Sequence, residues 1–172
     1  MSDRADIPAV CVVTSRYNDA VTSSLRAAAI RAYSQAGGQE KHLSLIDAPG
    51  TFELPTIAAE AARSARFGAV VALGCVVRGE TEHDRYISSA VAHTIASVSA
   101  ETGVPIAFGV LTVNDESQAR ERAGGAQGNK GEEAMRAALD TYAALRAIHS
   151  DSERVEFSLD RVANDKTADG AG

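Results

Sequence analysis

A three-layer α/β/α sandwich, with helices covering both faces of a four-stranded parallel sheet, is the fold class this sequence predicts. Three observations carry it. Apolar, β-branched runs alternate with segments of helical period. Those runs are apolar at successive positions, as strands buried on both faces must be. And strand, helix, strand, helix in succession requires parallel strands joined by right-handed crossovers.

The elements follow in order. AVCVVTS (9–15) reads as a buried strand. Val21, Leu25, Ala28, Ala29, Ala32 and Tyr33 recur at helical spacing, and Gly37-Gly38 ends that helix. KHLSLIDAPG (41–50) alternates and gives a second strand starting near His42. FELPTIAAEAARSARFG (52–68) gives a second helix, with Pro55 tolerable only in its first turn. AVVALGCVV (69–77), the most hydrophobic segment, is expected at the sheet centre, followed by a helix from Thr81 to about Ala100. VPIAFGVLTV (104–113) is the fourth strand, and ESQARERAGG (116–125) contains a short helix. The last helix is expected from Gly131 to about His149, with Met135, Ala138, Leu139, Tyr142 and Leu145 as its buried stripe.

With 172 residues and no internal repeat, the chain reads as one domain over 1–150 plus a C-terminal extension over 151–172. In that extension RVEFSLDRV alternates apolar and polar residues, while NDKTADGAG is expected to be a solvated, partly disordered end. The net charge of −6 argues against a general nucleic-acid or anionic-membrane binder, which would carry a basic excess. An anionic ligand must then be held by a local cluster of cations. Asp3, Arg4 and Asp6 stand where a secretory signal needs an apolar stretch, and no apolar run approaches the roughly 20 residues that span a bilayer, so a cytoplasmic location is expected. Cys11 and Cys75 fall in strand-like apolar runs and suit reduced, buried thiols.

Ligands of open parallel sheets bind beyond the carboxyl ends of the strands. There the sequence places SRYND (15–19), APGTFELP (48–55), CVVRGETEH (75–83) and LTVNDE (111–116). In the third of these, Gly79 frees the backbone and Thr81 suits an N-cap, so a helix N-terminus offers N–H groups and a positive partial charge to a phosphate. His83 lies in helical line with Ile87, Ala90, Val91, Thr94 and Val98, which points it inward at the mouth of the site. The helix N-terminus disfavours imidazolium, and a neutral ring can both take and give a proton. A packed core histidine is the plainer reading of a lone His; its place beside a phosphate-type turn favours the chemical one.

The stretch RERAGGAQGNKGEE (120–133) has two readings: a phosphate cradle made by backbone N–H groups with Arg122 and Lys130, or a flexible interhelical loop with solvated charges. Tyr17 and Phe52, in turns that need no aromatic, suit either stacking on a planar heterocycle or local packing. Glu53 suits either a ring N–H group or a helix N-terminus. His42, His93 and His149 read as structural or surface residues, and none of the four histidines has metal-ligand spacing with a matching set, so no metal is expected.

SRYND, PGTFELP, ALGCVVRGETEH, PIAFGVLT, ERAGG and GNKGEEA, in that order and spacing, resemble the 6,7-dimethyl-8-ribityllumazine synthase family across about residues 9–149. The resemblance implies a flavodoxin-like fold and a cofactor-free condensation in riboflavin biosynthesis. The substrates would be 5-amino-6-(D-ribitylamino)uracil and 3,4-dihydroxy-2-butanone 4-phosphate. The steps would be Schiff-base formation, phosphate elimination and ring closure.

Carried over by motif, His83 is the proton-transfer residue. Glu80 and Thr81, through their backbone N–H groups, contact phosphate with Arg122, and Lys130 supports that charge. Tyr17, where the family usually has Phe or Trp, stacks on the pyrimidine. Thr51, Phe52, Glu53, Cys75, Val76 and Val77 line the pyrimidine and ribityl side, and Phe108 completes the pocket. The resemblance also implies a site between neighbours of a homopentamer, with Phe108, Arg122 and Lys130 supplied by the neighbour, and riboflavin synthase as a partner. The RAGGAQGNKG loop lacks the insertion of pentamer-only members, while the short N-terminal segment with Pro8, which cannot donate to a sheet ladder, departs from members whose N-terminus adds a strand to a neighbour; an icosahedral shell of pentamers is the expectation, with a lone pentamer as its alternative. Asp84-Arg85 after His83 departs from the family's usual aromatic and acid. A non-catalytic flavin or lumazine carrier of the same fold is the alternative function.

Overall fold

The computed structural model describes residues 7–79 and 83–165, the side chains of 83 and 151–165 excepted. Four parallel strands form the central sheet: β1 (Val10–Ser15), β2 (Leu43–Ala48), β3 (Ala69–Val77) and β4 (Ile106–Val113), in the order β2-β1-β3-β4. Every residue of β1 is buried, as is β3 up to Val76, because these two strands have a neighbour on each side and helices on each face. The edge strand β2 has no such cover, and Leu45 and Ile46 remain exposed. The expected three-layer sandwich is the observed fold.

Side chains alternate between the faces with a period of two. Val10, Val12, Leu73 and Cys75 pack with Leu25, Tyr33, Met135 and Leu139 under α1 (Asp19–Gln35) and α5 (Lys130–Asp165). Cys11, Val13, Val70 and Val76 pack with Leu54, Ala58, Val91 and Ile95 under α2 (Leu54–Arg63) and α3 (His83–Thr102). Pro55 sits in the first turn of α2, where its missing N–H costs nothing. Tyr33 ties the α1 layer to the chain entry by donating from its hydroxyl to the Pro8 carbonyl (2.8 Å). Near the carboxyl ends Arg26 of α1 pairs with Asp47 and donates to Thr14 Oγ1 (3.1 Å), which anchors the helix across β1 and β2.

Four expectations are corrected. The stretch after α4 (Glu116–Glu121) is not only a loop: β5 (Ala123–Gly125) and β6 (Gly128–Asn129) form an antiparallel hairpin, which the chain can turn because Gly124 and Gly128 hold φ of 122° and 78°. The last helix does not stop near His149 but runs to Asp165, since no Gly or Pro interrupts 132–165. In α3 the inward stripe is Ile87, Val91, Ile95 and Val98; Ala90 and Thr94 are exposed, because they fall a quarter-turn off the line that meets the sheet. His42 closes a short 3₁₀ turn (Glu40–His42) ahead of β2 instead of starting the strand.

The closest helix contact is α1 against the start of α5. A Cβ at Gly131 would lie 2.0 Å from the Leu25 carbonyl oxygen, so only glycine lets α5 approach the α1 backbone. Gly131→Ala is therefore expected to lower unfolding stability by roughly 1–3 kcal/mol, as overpacking does. The midpoint of urea unfolding measures it, and an unchanged midpoint would show that the α1–α5 contact is slack.

Candidate active site

The strand order creates the site. The crossover from β1 to β2 leads one way along the sheet, and the crossover from β2 to β3 returns past β1 to the other side. The loops after β1 and β3 therefore diverge and leave a crevice at their carboxyl ends. A cavity of about 600 Å³ lies there, a size suited to a small organic ligand. Its walls are Tyr17 and Asn18 after β1, Gly50–Glu53 after β2, Cys75–Gly79 at the end of β3, and Asp84 and Ile87 of α3.

The structure brings seven sequence candidates together here: Tyr17, Thr51, Phe52, Glu53, Cys75, Val76 and Val77. Tyr17 and Phe52 are 71% and 60% exposed, so neither ring is spent on the core of this chain. Glu53 occupies the N-cap position of α2 without making a side-chain capping hydrogen bond. Thr51 is buried, yet its Oγ1 has no hydrogen-bond partner among the described residues. A buried hydroxyl without a partner carries a desolvation cost that a polar ligand group can relieve. His83 is the first residue of α3; its side chain, like Glu80 and Thr81, lies outside the described residues.

Phe108, Arg122 and Lys130 are not among the residues lining this cavity. Phe108 stands 38% exposed on the edge strand β4. The hairpin does bring Arg122 and Lys130 together: Lys130 N–H donates to the Arg122 carbonyl (2.9 Å). Ser24 of α1 donates to the Ala123 carbonyl, Asn129 donates to the Ser24 carbonyl (3.4 Å), and Asn129 Oδ1 accepts from Gly131 N–H (2.9 Å). These bonds pin the hairpin to α1. Arg122 Nη1 donates to the Gln118 carbonyl (3.2 Å), and Lys130 pairs with Glu133. The backbones of these two residues, eight positions apart in sequence, thus meet at the base of the hairpin.

Asn18, Gly50, Arg78, Gly79, Asp84 and Ile87 also line the cavity, and sequence reasoning assigned none of them a substrate contact. Asn18 left a signal, since an Asn between a strand and a helix is suited to a left-handed turn, and its φ is 59°. Among the described residues no group of three or more His, Cys, Asp or Glu is placed to hold a metal ion, and no helix is long and apolar enough to cross a membrane.

A parallel α/β sandwich with its crevice at the β1/β3 switch point belongs to the class of proteins that hold a small ligand at the strand ends. The family model for 6,7-dimethyl-8-ribityllumazine synthase matches residues 8–146. The 6,7-dimethyl-8-ribityllumazine synthase of Syntrophus aciditrophicus (strain SB) is 45% identical over 137 residues, covering 80% of this chain and 89% of that relative. The chain belongs to the 6,7-dimethyl-8-ribityllumazine synthase family.

Burial pushes the thiols of Cys11 and Cys75 up from 9.0 to about 11, with nearby Arg66 opposing the rise at Cys11 and Glu116 adding to it at Cys75. Both are free thiols, facing opposite core layers. Between pH 9 and 11 the unfolded chain gives up thiol protons that the native chain keeps, so it binds fewer protons and stability falls. The expected outcome is a unfolding free energy that declines above pH 9, with the decline reduced in Cys11→Ala. A decline of the same size in that variant would remove the thiol as its source.

Proposed function

We propose that this protein is the transferase that condenses 5-amino-6-(D-ribitylamino)uracil with 3,4-dihydroxy-2-butanone 4-phosphate to 6,7-dimethyl-8-ribityllumazine in riboflavin biosynthesis. The observation that carries the reading is the crevice itself. Two exposed aromatic rings line the space between the ends of β1, β2 and β3, which opens toward the start of α3, and Thr51, whose buried hydroxyl has no partner among the described residues, lies in its wall. Family membership supports the same reading, and the carrier alternative is not favoured.

In this reading the pyrimidine lies between Tyr17 and Phe52 and the backbone of Cys75–Val77. Thr51 and Glu53 supply polar contacts. An amine nitrogen of the pyrimidine attacks the ketone carbon and water leaves. The carbon–oxygen bond to phosphate then breaks, the phosphate taking the electron pair, and the second amine closes the ring with loss of water. His83 relays the protons these steps release and consume. Glu80 and Thr81 hold the phosphate through backbone N–H groups, with Arg122 and Lys130 as the cations.

We read the site as divided between copies of a homopentamer. The cavity lacks Phe108, Arg122 and Lys130, and all three lie elsewhere on the chain, where they can serve a neighbour. An icosahedral shell of such pentamers is the larger assembly we propose, and riboflavin synthase, which would take up the product, the partner. Thiols kept apart on opposite faces of the sheet suit the reducing cytoplasm. We assign catalysis to residues 1–150, and 151–172 to an extension outside the family match.

Mixing the protein with both substrates is expected to produce lumazine absorbance faster than the spontaneous reaction, and no acceleration rejects the assignment. His83→Ala is expected to slow turnover by about 10²-fold or less, because general acid–base catalysis supplies roughly 10²–10⁴ while the reactants remain held together. Arg122→Ala is expected to raise KM for the phosphate substrate and leave that for the pyrimidine; equal effects on both would argue against the phosphate role. Chains mixed as His83→Ala and Arg122→Ala are expected to regain activity if the site is shared, and a solution mass gives the assembly.

A further inference from the structure

This inference rests on the proposed pyrimidine site and adds a residue to it. Asn18 has an unusual set of bonds. It is the N-cap residue of α1, but its side chain makes no capping hydrogen bond. Its backbone carbonyl accepts from the N–H groups of Val21 (2.9 Å) and Thr22 (3.1 Å), which starts the helix without help from the amide. The side chain instead reaches across the crevice floor, and Nδ2 donates to the Cys75 carbonyl, 57 residues away, at 2.8 Å. A carbonyl oxygen can only accept, so the amide atom facing it must be the nitrogen.

The sheet explains why the bond is needed. Pairing of β1 with β3 ends at Thr14–Leu73, whereas β3 stays paired with β4 as far as Val77–Val113. From Cys75 onward β3 therefore runs past the end of the β1 ladder, at the place where it forms a wall of the cavity. The Asn18 amide supplies a donor where β1 has already turned away. Its backbone is also left-handed, with φ 59° and ψ 46°, a conformation that Asn adopts more readily than other residues bearing a Cβ. That turn sends the chain from Tyr17 into α1 and leaves the Tyr17 ring exposed at the cavity.

We infer that Asn18 is a positioning residue: its left-handed turn and its bond to the Cys75 carbonyl hold the Tyr17 ring and the end of β3 at the spacing that admits a flat heterocycle. It acts on the pyrimidine half of the site only. Neither the hairpin carrying Arg122 and Lys130 nor Phe108 shares a hydrogen bond with it.

Two variants separate the amide from the turn. Asn18→Asp keeps the size and the tolerance of positive φ but cannot donate. Asn18→Gly keeps the turn and removes the amide. Calorimetric titration with 5-amino-6-(D-ribitylamino)uracil is expected to show an affinity loss of about 3- to 10-fold in each, the scale of one neutral hydrogen bond. The loss is expected to be larger in Asn18→Asp, where a carboxylate faces a carbonyl. KM for the pyrimidine is expected to rise in step while KM for the phosphate substrate holds. Unchanged pyrimidine affinity in both variants overturns the inference, as does an equal rise in both KM values, which signals general loosening. A wild-type protein that binds the pyrimidine but forms no lumazine rejects the synthase reading and leaves the titration decisive. One that binds no pyrimidine overturns both.

Discussion

The parallel pairing of β1 with both β2 and β3 sets the place of every functional element in this protein. Because crossovers between parallel strands are right-handed, stepping one way from β1 to β2 and the other way from β3 to β4 puts α1 and α3 on opposite faces. The loops entering those helices must separate. The gap between them cannot be closed by the sheet, whose ladders end there, and it becomes the cavity. Burial of the two central strands is the driving term, since β1 and most of β3 lose contact with water altogether. The polar and aromatic residues at the strand ends are held by a core to which they contribute little.

The same geometry separates two kinds of chemistry. The crevice gathers the Tyr17 and Phe52 rings and the charged Glu53, Arg78 and Asp84 at the strand ends. Arg122 and Lys130 sit apart, beside a hairpin fastened to α1 through Ser24 and Asn129. A negatively charged chain can hold an anionic ligand only by such local concentration. The present partners of the two cations are a neutral carbonyl for Arg122 and a partly exposed carboxylate for Lys130. A phosphate offers both a stronger charge-assisted acceptor than either. The glycines that look like a loop in sequence are therefore the means by which the backbones of Arg122 and Lys130 come together.

Fold and site were legible to different depths. The alternation of apolar runs with helical periods is enough to read the parallel sheet, because strands covered on both faces are apolar along most of their length. Helix ends were less legible: the last helix passes His149 without a Gly or Pro to stop it, so composition had suggested an end that backbone chemistry does not impose. The hairpin was missed because its strands hold three and two residues, too short for any periodicity. Tyr17, Phe52 and Glu53 were readable as site candidates because odd residue types follow apolar strands, whereas Thr51 and Cys75–Val77 came only with the family resemblance. Asn18 was not, because its role depends on a partner 57 residues away.

The amino-acid sequence alone determined the layers, the parallel sense of the strands, and the rim on which chemistry gathers, since these follow from burial patterns and chain connectivity over short distances. Tertiary structure alone decided that β3 outruns β1, that an Asn amide crosses the gap this leaves, and that Arg122 and Lys130 meet on a hairpin outside the cavity. Those are matters of ladder length and relative placement. They arise only when strands from distant parts of the chain lie side by side and some of their hydrogen-bonding groups are left to find partners elsewhere.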